Sequence, residues 1–163
     1  MNIETLKDLY LGELQEARSV EAQLSEALPK MMDAASAGDL KGALESHLGE
    51  TRSQLERMGE MLRRHGTDTR AHSDQSMQQI IAEADKWIGM VDDPACRDAG
   101  LIASAQRIEH YEIAVYGTLA TWAKQLGLEE DAETLRTILE EEKSADDTLT
   151  ELAKNAVNPE AIA

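Results

Sequence analysis

Apolar residues recur along this chain at the helical period, and the runs are long. Leu6, Leu9/Tyr10, Leu14, Ala17, Leu24, Leu28 and Met31 trace one face. They predict a first helix from about Ile3 to Ser36, with Asn2 or Thr5 as its cap. Pro29 falls inside it and should kink it or open one hydrogen bond. Ala37-Gly38-Asp39 reads as a short turn in which Gly38 ends the helix. Leu40, Leu44, His47/Leu48, Thr51, Leu55, Met58 and Leu62 form a second stripe, from about Asp39 to His65, stopped by Gly66. Thr67 to Asp74 is polar and reads as a loop. Met77, Ile80, Ile81, Ala84, Trp87, Ile88 and Val91 then mark a shorter helix over about Ser76 to Val91. Asp92-Asp93-Pro94 ends that helix and starts the next, because proline suits the first helical position. This next helix runs to about Gln125 and is closed by Gly127. A last one spans about Glu129 to Lys154, and Asn155 to Ala163 is expected to fray.

The order is hairpin, long crossover over about 67–93, hairpin. Short turns make each pair antiparallel, and the crossover can travel the length of the molecule. That connectivity predicts an all-α, ferritin-like four-helix bundle, with a short fifth helix in the crossover and a single domain over 1–163.

The stripes are interrupted by charge. Glu109 and Glu112 are three apart, so they share a helix face, and that face continues as Ile102, Ala105, Tyr116, Leu119 and Ala123. Glu21 breaks the first stripe between Ala17 and Leu24, and Glu142 breaks the last. His47, Glu50 and Gln54 line one side of the second, and Asp146 lies one turn beyond Glu142. With ~1.5 Å rise per residue, Glu21, Glu50, Glu109, Glu112, Glu142 and Asp146 fall roughly 12–26 Å below the shared short-turn end. Carboxylates from four helices thus converge near mid-bundle. Free anions in one apolar core are not tolerable; they must be protonated, paired or neutralised by a polyvalent cation. Two bridged metal ions meet that need. The plainer alternative is a set of salt bridges to Arg107, Arg136 or Lys143.

Composition sharpens this picture. The chain has 163 residues, a formal net charge of −16 and no Phe, and it is dominated by helix-forming types. An acidic surface of this kind repels phosphate backbones and anionic membrane faces, so neither nucleic acid nor membrane is an expected partner. No apolar run approaches the ~20 residues of a membrane span. The lone Cys96 forms no intrachain disulfide, and no signal peptide is read at the N-terminus, so a reducing cytoplasm is the expected address.

Leu101-Ile-Ala-Ser-Ala-Gln-Arg-Ile-Glu-His-Tyr-Glu-Ile-Ala-Val-Tyr-Gly-Thr-Leu119 closely resembles a signature of the YciF-type ferritin-like stress-protein family. Leu139-Glu-Glu-Glu-Lys-Ser-Ala-Asp-Asp-Thr-Leu-Thr-Glu-Leu-Ala153 resembles that family's last helix, as do Glu21-Ala-Gln-Leu24, Ala27-Leu-Pro-Lys30 and His47-Leu-Gly-Glu-Thr51 elsewhere in it. The resemblance covers nearly the whole chain. It implies a bundle with a central metal site similar to rubrerythrin and other di-iron carboxylate proteins, often homodimeric, and associated with bacterial stress responses. The standard di-iron pattern places Glu-x-x-His on two helices. Here Ser53 follows Glu50 and Ala145 follows Glu142 at the histidine positions, while His47 precedes Glu50 and His110 adjoins Glu109. The candidate ligands are Glu21, Glu50, Glu109, Glu112, Glu142, Asp146 and His47, an oxygen-rich set suited to iron, manganese or another hard divalent cation.

Three functions fit this reading: a two-iron stress-defence centre that oxidises Fe(II) or removes peroxide; a metal-binding or structural protein whose ion is redox-inert or absent; and iron storage, which would need a many-subunit shell. His65 and His72 are read as surface residues, and Tyr111 and Tyr116 as core or hydrogen-bonding groups.

Overall fold

The computed structural model describes residues 3–163. Asn2, one of the two proposed caps, lies outside the described residues. Thr5 is the N-cap of α1 (Leu6–Ala34): its side chain accepts from the Asp8 amide while Asp8 caps it in return. α2 (Gly38–Arg64), α3 (Gln75–Met90), α4 (Pro94–Gln125) and α5 (Glu129–Leu152) follow. Asp74 and Asp93 cap α3 and α4, and Pro94 opens α4 as expected. Gly66 and Gly127 take φ of 65° and 72°, the left-handed values that end α2 and α4.

α1 packs on α2, and α4 on α5, as two hairpins; α3 crosses over and lies against α4 and α1. The ferritin-like four-helix bundle expected from the connectivity is the fold observed.

Three expectations need correction. Gly38 does not end α1; it begins α2, and no left-handed residue is needed there because the turn is held from elsewhere. Asp98 on α4 accepts from the Ser36 and Ala37 amides at 2.8 and 2.7 Å, and Arg97 donates to the Ala34 carbonyl at 3.0 Å. α1 runs through Pro29 as one helix, in which the proline's missing N–H leaves one hydrogen bond open. The segment from Asn155 does not fray: a π-turn over Ala153–Val157 leads into α6 (Asn158–Ile162), because Val157 extends the buried face and α6 rests on α4. Trp87, placed on the buried stripe of α3, is exposed.

The core is not continuous. One apolar cluster holds Leu24, Leu28, Leu40, Leu44, Leu101 and Ile108. Another holds Tyr10, Leu14, Met58, Leu62, Leu119 and Leu135. On every main helix, the residues between the two clusters are polar and buried: Glu21 on α1, His47, Thr51 and Gln54 on α2, Glu109 and Glu112 on α4, Glu142 on α5.

Candidate metal centre

Each helix contributes to the polar layer where its apolar stripe is broken. One ligand atom from each of His47, Glu109, Glu112 and Glu142 lies within 4.8 Å of all the others. All four residues are buried, Glu112 and Glu142 completely. His47 Nε2 is 3.4 Å from Glu109 Oε1 and 3.9 Å from Glu112 Oε2. Glu21, also completely buried, completes the layer from α1, where the Tyr116 hydroxyl donates to its Oε1. Gln54 Nε2 donates to Glu142 Oε1 at 2.5 Å and to Glu141 Oε2 at 3.0 Å; Glu141 in turn accepts from Arg57.

The electrostatics are those of a crowded anionic pocket. Burial, then the charge of Glu142, pushes Glu109 up to about 10. Burial and Glu142 also raise Glu21 and Glu112 well above the carboxylate range. Glu142 is raised by burial, with His47 and Gln54 working against the rise. Among the described residues, no Lys or Arg forms an ion pair with Glu21, Glu109, Glu112 or Glu142. Lys143 pairs with Glu140 and points away, which removes the salt-bridge alternative for Glu142.

The remaining valences decide what the layer fits. Glu21 Oε2, Glu109 Oε2, both oxygens of Glu112, Glu142 Oε2 and both ring nitrogens of His47 are buried without a hydrogen-bond partner. Such atoms are costly to leave unsatisfied. Carboxylate oxygens with one imidazole are the donor set of a hard or borderline cation such as iron or manganese, and the converging unsatisfied atoms fit one.

Two of the sequence candidates stand apart from this group. Glu50 is half-exposed, its carboxylate 3.8 Å from His47 Nδ1 on the solvent side. Asp146 is held outside the layer by Gln106 at 3.1 Å and His110 at 3.2 Å. His110 is largely exposed, as an outward-facing residue would be. His65 is not a surface residue. It is mostly buried at the far end of the bundle, where its Nε2 lies 2.6 Å from Asp131, which also accepts from Tyr10 and Arg64. The sequence reading missed Tyr116 as a partner of Glu21, because nothing in a single chain pairs positions 95 residues apart. It also missed Glu141, which accepts from both Gln54 and Arg57.

These features define an all-helical bundle with a buried carboxylate–histidine layer at its middle. The family described as a domain of unknown function, DUF892, matches residues 5–162, and the chain belongs to it. Protein YciF of Escherichia coli (strain K12) is 42% identical over 162 residues, spanning 99% of this chain and 98% of that protein. The crystal structure of the E. coli stress protein YciF superposes with a TM-score of 0.91 at 41% identity, covering 96% of this chain and 99% of that one. YcfI of Rhodopseudomonas palustris gives 0.88 at 40% identity, covering 91% and 95%. A Xanthomonas campestris protein shares the fold at 20% identity and a TM-score of 0.78, covering 97% of each chain. No helix among the described residues is long and apolar enough to cross a membrane.

Proposed function

We propose that this chain is a di-metal bundle protein of stress defence, oxidising Fe(II) or removing peroxide in the cytoplasm, and that it works as a homodimer. The observation that carries the metal reading is the set of four buried ligand atoms, from α2, α4 and α5, lying within 4.8 Å of one another, with no Lys or Arg paired to them among the described residues. Glu109, Glu112, Glu142 and His47 would hold the ions, with Glu21 on the α1 side; iron comes first, and manganese or another divalent cation would suit the same donors. Bound iron would supply the redox chemistry. The chain's own part is to fix the donors on four rigid helices and exclude bulk water with the two apolar clusters. Tyr116 holds Glu21, and the Arg57–Glu141–Gln54 chain holds Glu142. The homodimer rests on the family resemblance, and light scattering tests it; a dimer would also exclude a storage shell.

A second reading has one observation in its favour. Gln54 on α2, an amide, contacts Glu142 and leaves the layer with a single imidazole. Such a set also suits a redox-inert ion in a protein without catalysis. Aerobic Fe(II) titration of protein purified without added metal separates the readings. The redox centre predicts stoichiometric iron and oxidation of added Fe(II). Replacing both Glu109 and Glu142 by Ala should abolish binding. Retention of metal by that double variant, or no iron taken up by the unaltered protein, would sink the proposal.

A further inference from the structure

The two hairpins meet along two seams, α1–α4 and α2–α5. α3 lies against α4 and α1, so α2–α5 is the seam between hairpins that the crossover leaves uncovered. That seam holds a cavity of about 130 Å³, room for several waters, whose walls include His47, Glu50, Glu109, Ala145 and Thr148. Beside Leu44 and Leu149, its lining on the two helices is small: Ala43 and Ser46 on α2, Ser144, Ala145 and Thr148 on α5. Further along the same seam, Arg57 and Gln54 bridge to Glu141 and close it. The opening is therefore local, and it sits over His47 and Glu109.

His47 connects the outside to the inside. Its Nδ1 faces the half-exposed Glu50 at 3.8 Å, and its Nε2 faces Glu109 and Glu112. Both ring nitrogens are buried and unpartnered in hydrogen-bond terms. A half-exposed carboxylate at the mouth, an imidazole behind it and a buried carboxylate behind that form a file of cation donors leading inward.

We propose that the α2–α5 cavity is the entrance through which divalent cations reach the layer, and that Glu50 is its receiving carboxylate rather than a ligand of the bound ion. This rests on the metal-centre reading above. The net charge of −16 draws cations to the surface as a whole, and Glu50 gives them one place to shed water beside His47. The small residues of the seam keep that place open.

Uptake of Co(II) alone by the metal-free full chain, followed by its visible absorbance in stopped flow, tests both statements separately. Co(II) bound at equilibrium by the unaltered protein tests the centre; the rate of uptake in variants tests the entrance. Thr148→Trp and Ser144→Trp place bulk at exposed positions of the seam, so the fold should tolerate them, and circular dichroism checks that it does. Each should slow loading by about tenfold, a change of ~1.4 kcal/mol in barrier, while the final amount of Co(II) bound is unchanged. Glu50→Gln should slow loading by about three- to tenfold, less so at high salt, again with unchanged capacity. If both Trp variants load at the unaltered rate, the entrance lies elsewhere while the centre stands. Lost capacity or altered bound-state absorbance in Glu50→Gln would make Glu50 a ligand and overturn its assigned role. No Co(II) bound by the unaltered protein would overturn the centre and the entrance together.

Discussion

Glu112 is completely buried, and neither of its oxygens has a hydrogen-bond partner. Glu21 differs in having one donor, the Tyr116 hydroxyl. A hydrogen bond to a buried carboxyl stabilises mostly by sparing the acceptor its desolvation penalty, so removing the donor is costly. Tyr116→Phe keeps the ring and deletes that donor. It should lower the urea midpoint of the metal-free protein by an amount equivalent to about 1–3 kcal/mol. An unchanged midpoint would mean that Glu21 finds another partner. At this scale the sequence was informative where charge interrupts a stripe: Glu21, Glu109, Glu112 and Glu142 all stand where their helices bury apolar side chains. It could not rank Asp146 against Glu142. The two are one turn apart on α5, and what keeps Asp146 outside the layer is Gln106 and His110 on another helix. Spacing within one helix does not report such partners.

The helices themselves were legible because each carries a long periodic stripe, and α4 begins and ends where Pro94 and Gly127 place it. The connections were less legible. Gly38 looked like a helix stop, yet the α1–α2 turn takes its shape from Asp98, which belongs to α4 and satisfies two backbone amides of the turn. The tail was expected to fray, but Val157 continues the buried face and carries a π-turn and a short helix with it. In both cases the deciding contact is tertiary. Asp98→Ala would leave the Ser36 and Ala37 amides without acceptors at a partly buried site. A loss of about 1–3 kcal/mol in unfolding free energy is expected. Amide exchange at Ser36 and Ala37 should quicken before exchange at mid-bundle positions does. Destabilisation without local quickening at these amides would mean that Asp98 acts through packing instead.

At the scale of the whole molecule, the polar layer splits one core into two apolar clusters, so the bundle's stability is tied to the charge state of its middle. Glu109, Glu21, Glu112 and Glu142 are all raised above their ordinary values, Glu109 to about 10. A carboxyl whose folded value is raised binds its proton more tightly folded than unfolded. Its stabilising contribution is fully present below the unfolded value, about 4.5, and is lost as pH rises toward the folded one. The metal-free protein should therefore become steadily less stable from about pH 5 to pH 9. Surface repulsion in a chain of net charge −16 cannot mimic this slope, because exposed carboxylates are already ionised at pH 6 and their repulsion is screened by salt. Urea midpoints measured in EDTA at several pH values, at low and high salt, would show the slope surviving salt. Glu109→Gln should flatten it. A divalent cation should reverse it, because the ion binds the ionised carboxylates and competes with their protons, so its stabilisation grows as pH rises. A flat profile in EDTA would mean that the layer is not protonated in the folded state. A slope that the cation leaves unchanged would mean that these carboxylates are not where the metal binds.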